Sequence, residues 1–221
     1  MRSLYSFLVS IYFYCFVSAQ TSNEPGLFFK IDYGVAVPTL DFGQSVDTQD
    51  SYASVGHGGS LSIGFHINKF WSLALAVHNS LNKISGVPLF DFNSKEDYQF
   101  IQINIEPYFK FQTFPPTLYV KPMIGVASRS TPWYLLTVSE NSFLDEYIFL
   151  GPDKKLGLNY GLGIGALLGS PKTSRFLFEF QATHTASKFE IYQGNIVTGF
   201  RQDVKKSFLS VAIKLGLLIS N

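Results

Sequence analysis

Tyr98-Gln99-Phe100-Ile101-Gln102-Ile103-Asn104-Ile105-Glu106-Pro107-Tyr108-Phe109-Lys110-Phe111 is the stretch whose reading decides the fold. Ile101, Ile103, Ile105, Phe109 and Phe111 share one parity; Gln102, Asn104, Glu106 and Lys110 share the other. A period of two belongs to a β-strand with two unlike faces, whereas a helix would group residues three and four apart.

The same alternation recurs along the chain. Segments Leu27–Val37, Ser60–Ile67, Phe70–Leu81 and Leu118–Ala127 each set large apolar residues against polar or small ones. So do Leu156–Leu168, the run around Phe176-Phe178-Phe180-Ala182, and Leu209–Ile219, which makes eight segments with the first. The connections alternate as well. Asn68-Lys69, Gln112–Thr117 and Gly169–Ser174 are short and rich in turn residues. Pro38–Gly59, Asn82–Asp97, Ser128–Lys155 and Lys188–Lys206 are long. Eight strands with short turns at one end and long loops at the other predict a closed, antiparallel, up-and-down transmembrane β-barrel. An even strand number puts both chain ends on the short-turn side.

The N-terminus reads as an export signal over residues 1–19. Arg2 is followed by the apolar run Leu4–Val17 and by Val17-Ser18-Ala19, in the order of a secretory signal. The expected division is therefore a signal peptide at 1–19 and a barrel domain at 20–221. Cys15 leaves with the signal, because the bulky Tyr12, Phe13 and Tyr14 before it do not suit a lipoprotein anchor. The mature chain then lacks cysteine and has no disulfide framework.

Composition narrows the function classes. The formal net charge is +1, falling to zero without Arg2, so no strong field points to nucleic acid. Charged residues make up 15%, below the usual share of a globular domain. After Ala19 no apolar run is long enough for a membrane-spanning helix.

Alternation alone also fits a soluble lipocalin-like, ligand-binding barrel. The small residues on the mixed face argue for a crowded lumen: Gly34, Ala36, Gly64, Ala74, Ala76, Gly161, Gly163, Gly165 and Gly216. The bulky face carries Phe29, Trp71, Phe109, Phe111 and Phe176 near the short-turn ends, as an aromatic girdle would. Both features favour the membrane barrel.

Ile105-Glu106-Pro107-Tyr108-Phe109-Lys110-Phe111, with the return run Leu118-Tyr119-Val120-Lys121-Pro122-Met123-Ile124-Gly125, resembles the outer-membrane β-barrel domain common in Bacteroidetes. Tyr160-Gly161-Leu162-Gly163-Ile164-Gly165 and Phe178-Glu179-Phe180 look like its later strands. The resemblance covers the mature chain and implies a small OmpX- or OmpW-like barrel of the bacterial outer membrane. Roles among such relatives include gliding motility, protein secretion, adhesion and envelope integrity. One departure is the end, Ile219-Ser220-Asn221, which lacks the terminal aromatic that such barrels often carry.

Catalytic chemistry finds little support. Gly161-x-Gly163-x-Gly165 lies on a strand, not in the strand–turn–helix setting of a dinucleotide loop. His57, His66, His78 and His184 lack metal-ligand spacing, and no cofactor is expected. A lipid A-modifying enzyme is the alternative activity, using His184, Ser187 and Glu190. A three-residue spacing puts His184 and Ser187 on opposite faces, out of hydrogen-bond reach.

Parity instead puts Lys30, Asp32, Glu106, Lys110, Lys121, Glu179 and Lys214 in the lumen, where they are expected to form an ion-pair network that holds a narrow barrel closed. Glu106 and Lys121 should lie at matching depth if their turn centres near Phe114. The third long loop is unusually apolar, with Trp133, Tyr134 and Leu135 before, and Tyr147 and Phe149 after, a polar turn. It reads as a hairpin and a partner-binding element. The expected protein is a monomeric, non-enzymatic outer-membrane barrel in contact with lipid and lipopolysaccharide. Its outer loops would carry adhesion, interaction or envelope assembly.

Overall fold

Strands with one apolar and one mixed face can shelter the mixed face and leave no open edge by closing into a barrel. The structure, a computed structural model, describes residues 26–39, 53–83, 97–111, 116–130, 134–137, 147–150, 154–169, 174–194 and 199–220. Its elements are all strands. They are β1 (Leu27–Thr39), β2 (Gly56–His66), β3 (Trp71–Asn82), β4 (Tyr98–Phe111), β5 (Thr117–Ser130), β6 (Tyr134–Thr137), β7 (Tyr147–Leu150), β8 (Lys154–Leu168), β9 (Ser174–Gly194) and β10 (Gly199–Ser220).

Eight of these close the barrel in the order β1-β2-β3-β4-β5-β8-β9-β10, with β10 returning to β1, and every pairing is antiparallel. The seam between first and last strands runs in continuous register from Phe28↔Ser220 to Thr39↔Leu209.

The faces are sorted opposite to those of a water-soluble protein. Ile31, Ile63, Leu75, Ile105, Ile124, Leu158, Ile164 and Leu215 are exposed on the outer wall, whereas Lys30, Asp32, Asn104, Glu106, Lys121 and Glu179 are buried within. An apolar belt around a polar interior is the surface of a barrel that spans a bilayer. The expected girdle residues Phe29, Phe111 and Phe176 are exposed on this belt, and the half-buried Trp71 and Phe109 stand across from each other on β3 and β4.

The turn at Asn68 shows how a short connection is fixed. Its Oδ1 accepts hydrogen bonds from the backbone N–H groups of Phe70 (2.8 Å) and Trp71 (2.9 Å), a local substitute for backbone pairing that asparagine makes readily.

Two expectations change at the long-loop end. The link Lys188–Lys206 is mostly regular strand: β9 and β10 stay paired from Ile219↔Ser174 to Gly199↔Gly194. At 21 and 22 residues, they are about twice as long as a bilayer crossing requires. Past the apolar belt the sequence loses its apolar alternation while the backbone ladder continues. Likewise β2 begins at Gly56, inside the segment expected to be loop.

The seam can be tested by crosslinking. Val35→Cys with Ile213→Cys, which stand directly opposite, is expected to form a disulfide upon oxidation of the inserted barrel. Val37→Cys with Ile213→Cys, offset by two residues, is expected to crosslink far less. The readout is a reductant-reversible shift in electrophoretic mobility; equal crosslinking of the two pairs would contradict the register.

Candidate functional site

The lumen is built in layers, because each inward position on one strand meets inward positions at the same height on its neighbours. Nearest the short turns lie His66, Ser72, Lys110, Arg175 and Ser220. Above them is a close-packed cluster of Phe28, Ala74, Tyr108, Tyr119, Leu167, Leu177 and Leu218. The charged layer follows.

That layer is a closed ring. Lys30 Nζ contacts Asp32 Oδ2 (2.7 Å) and Glu179 Oε2 (3.6 Å). Lys121 Nζ bridges Glu179 Oε1 (3.0 Å) and Glu106 Oε2 (3.1 Å). Glu106 Oε1 meets His78 Nε2 at 2.6 Å, and His78 Nδ1 meets Lys214 Nζ at 3.1 Å. Lys214 Nζ returns to Asp32 Oδ1 at 3.3 Å. A lysine donating to Nδ1 assigns the imidazole proton to Nε2, so that His78 donates to Glu106 and is neutral. Three ammonium groups then face three carboxylates. The sum is zero, as a site removed from water demands.

Hydroxyls fill the remaining acceptor positions. Ser60 donates to Asp32 (2.5 Å), Tyr108 to Glu106 (2.9 Å) and Tyr119 to Glu179 (2.6 Å). The two tyrosines rise from the apolar cluster, and the Lys30 and Lys121 ammonium groups stand 5.9 and 5.5 Å from the Tyr108 ring centre, within cation–π range. Strand β8 contributes glycine. A Cβ at Gly163 would meet Lys121 Cε at 3.0 Å, and one at Gly165 would overlap the Tyr119 hydroxyl. The glycine repeat on β8 is therefore room for the neighbours' side chains.

Above the ring lies an amide layer. Asn159 Nδ2 donates to Gln102 Oε1 (3.2 Å) and Asn104 Oδ1 (2.9 Å), and Thr185 Oγ1 donates to Asn159 Oδ1 (2.9 Å). At the top, Arg129 is fully buried with its guanidinium 5.0 Å from the Phe208 ring centre, and Phe208 packs edge-on against Phe100. These layers fill an eight-stranded lumen with side chains, as its width allows.

Of the seven charged residues assigned to the lumen by parity, all are buried, and six belong to the ring. Lys110 does not. It sits one layer lower, where its Nζ meets His66 Nδ1 at 2.9 Å. Parity assigns a face and not a depth. The Glu106–Lys121 contact is also diagonal. Ladder pairs Ile105↔Ile124 and Phe109↔Val120 place Lys121 across from Tyr108, and the lysine reaches over by its length. His78, Tyr108, Tyr119 and Ser60 belong to the ring and were not singled out by charge, although each has inward parity.

In the third long loop, β6 and β7 form a hairpin, Tyr134↔Leu150 to Thr137↔Tyr147, in the register of the β5–β8 ladder below it. Strand β7 also pairs with the projecting part of β9, from Tyr147↔Gly194 to Phe149↔Tyr192. Of the five residues expected to bind a partner, Tyr134, Leu135, Tyr147 and Phe149 lie on this hairpin, and Trp133 lies outside the described residues.

The β9–β10 ladder is unbroken from Leu209↔His184 to Lys206↔Ser187, so no bulge brings positions 184 and 187 to one face. Among the described residues, no group of three or more His, Cys, Asp or Glu is placed to hold a metal ion.

No family model matches the chain, and no curated protein matches it. Several solved structures do. Neisserial surface protein A is 15% identical over 89% of this chain and 99% of its own, with a TM-score of 0.47. Ail, the attachment invasion locus protein of Yersinia pestis, is 12% identical over 90% and 100%, with a TM-score of 0.49. The outer membrane protein OprG of Pseudomonas aeruginosa is 12% identical over 91% and 98%, with a TM-score of 0.47. The fold assignment rests on the strand ladder itself.

Charge balance in the ring makes a stability prediction. Lys121→Met leaves two ammonium groups against three carboxylates and is expected to cost about 3–5 kcal/mol. Glu106→Gln with Lys121→Met restores the balance and should cost less than the two single changes together. Urea unfolding of the lipid-inserted protein measures this; additive costs would contradict the pairing.

Proposed function

We propose that the protein is a non-enzymatic barrel of the bacterial outer membrane whose lumen is closed and whose work is done by the sheet it raises on the long-loop side. An exported chain with an apolar belt and a polar interior fits that membrane, where strands cross as closed barrels. A lumen filled by a neutral ring favours a scaffold over a channel.

The observation that carries this reading is the projecting sheet. Strands β10 and β9 continue well past the apolar belt, β7 adds to β9, and β6 adds to β7. Among the described residues no strand pairs with the far edge of β6. A free edge is a template for another chain and is normally blunted or covered. The sequence 134–137, Tyr-Leu-Leu-Thr, carries neither proline nor charge. Strand addition by a protein partner fits such an edge, and adhesion or envelope assembly is the role that follows. Lipopolysaccharide would surround the base of the sheet.

Two deletions separate scaffold from binding element. Replacing residues 131–153 by a tight turn removes β6 and β7 and leaves the barrel strands intact. The shortened protein is expected to insert and to keep its resistance to unfolding in detergent before boiling, while losing cell adhesion or partner capture. Leu135→Pro on β6 serves as the milder variant, expected to weaken association with little effect on insertion. Full retention of every association in both variants would defeat this reading.

A further inference from the structure

Among the described residues, the short-turn end of the lumen differs from the ring above it in carrying cations without a carboxylate. Lys110 on β4 and Arg175 on β9 are 8% and 5% exposed. Among the described residues neither has a carboxylate within ion-pair distance. One hydrogen-bonded chain links them. Lys110 Nζ meets His66 Nδ1 at 2.9 Å, His66 Nε2 meets Ser220 Oγ at 3.3 Å, and an Arg175 terminal nitrogen reaches the same Ser220 Oγ at 3.5 Å. Ser72 Oγ lies 2.7 Å from His66 Nδ1, and the imidazole stacks on Phe28, 4.8 Å between ring centres. The nearby Arg175 Nε is buried without a hydrogen-bond partner.

Two buried cations without a counter-charge are costly, and the ring above them balances its own charges three against three. The short links between the strands at this end offer no carboxylate in their sequence. Gln112-Thr113-Phe114-Pro115 and Ser170-Pro171-Lys172-Thr173 contain no carboxylate, and Ile67–Phe70 contains Lys69.

We infer that this mouth is an oxyanion site for a phosphate group, held by the Arg175 guanidinium and the Lys110 ammonium with the Ser72 and Ser220 hydroxyls beside them. An arginine with a free Nε offers the forked donor geometry that phosphate accepts, and lysine adds a point charge. The site lies at the short-turn end of the apolar belt, the side of the lipid headgroups. The phosphate therefore comes either from a phospholipid headgroup or from solution. The headgroup source rests on the bilayer reading above; the site itself rests on the unbalanced charge alone.

The test uses the full barrel in phosphate-free maltoside micelles, titrated with inorganic phosphate by calorimetry. Saturable binding is expected, weakened at least about tenfold, or 1.4 kcal/mol, in both Arg175→Gln and Lys110→Gln. Arg175→Lys, which keeps the charge and loses the fork, should bind more weakly than the parent and serves if the glutamine variant does not insert. Native mass spectrometry after extraction from membranes containing phosphatidylglycerol distinguishes the sources. Lipid retained by the parent and lost by the variants names the headgroup; phosphate binding with no retained lipid names a soluble phosphate. The inference is overturned if phosphate does not bind saturably, or if the parent and the variants bind alike.

Discussion

Six charges that cannot reach water tie the barrel wall together. The ring Asp32–Lys30–Glu179–Lys121–Glu106–His78–Lys214 draws one or two groups from each of β1, β3, β4, β5, β9 and β10. Strand β2 joins through Ser60. Only β8 sends in no polar group at this level, and its glycines admit the side chains that its neighbours send across it. In the low-dielectric interior each contact is strong only while its partner is present, and a stranded charge is expensive. A slip of one residue in any of these strands would turn its charged group toward lipid. The ring thus specifies strand register as well as closing the lumen.

The apolar belt makes the complementary demand. Side chains such as Ile105, Ile124 and Leu215 pack on lipid and specify little about register. The lumen has to carry that information. Its layers do so by unlike chemistry: an aromatic cluster, a charged ring, an amide layer, then Arg129 against Phe208 and Phe100. Above the belt the constraint changes again. There the long β9–β10 ladder and the β6–β7 hairpin continue as backbone pairing, which does not depend on an apolar pattern.

Much of this was legible in the sequence because the bilayer enforces strict alternation. Parity alone placed Lys30, Asp32, Glu106, Lys121, Glu179 and Lys214 inside. What it missed follows from the same physics. Arg129 and Arg175 share the inward parity, yet they stand just beyond the apolar runs that ended at Ala127 and began at Phe176, where alternation fades at the edge of the membrane. Lys110 was grouped with the ring because parity carries no depth. The β4–β5 register depends on the turn between Phe111 and Thr117, whose composition does not fix where it bends. The extension of β9 and β10 past Thr183 and Leu209 escaped for a related reason: its sequence lacks the apolar alternation by which strands are read.

The central claim is that the apolar face of each strand meets lipid while the charged face is sealed inside. Nitroxide spin labels placed singly at 101 through 106 on β4, in the protein inserted into bilayers, test it most directly. The account predicts that labels at 101, 103 and 105 collide readily with oxygen, which concentrates in the bilayer, and poorly with a water-soluble nickel chelate. Labels at 102, 104 and 106 should be shielded from both. Free access of the nickel chelate to 101, 103 and 105 would put that face in water and contradict the account.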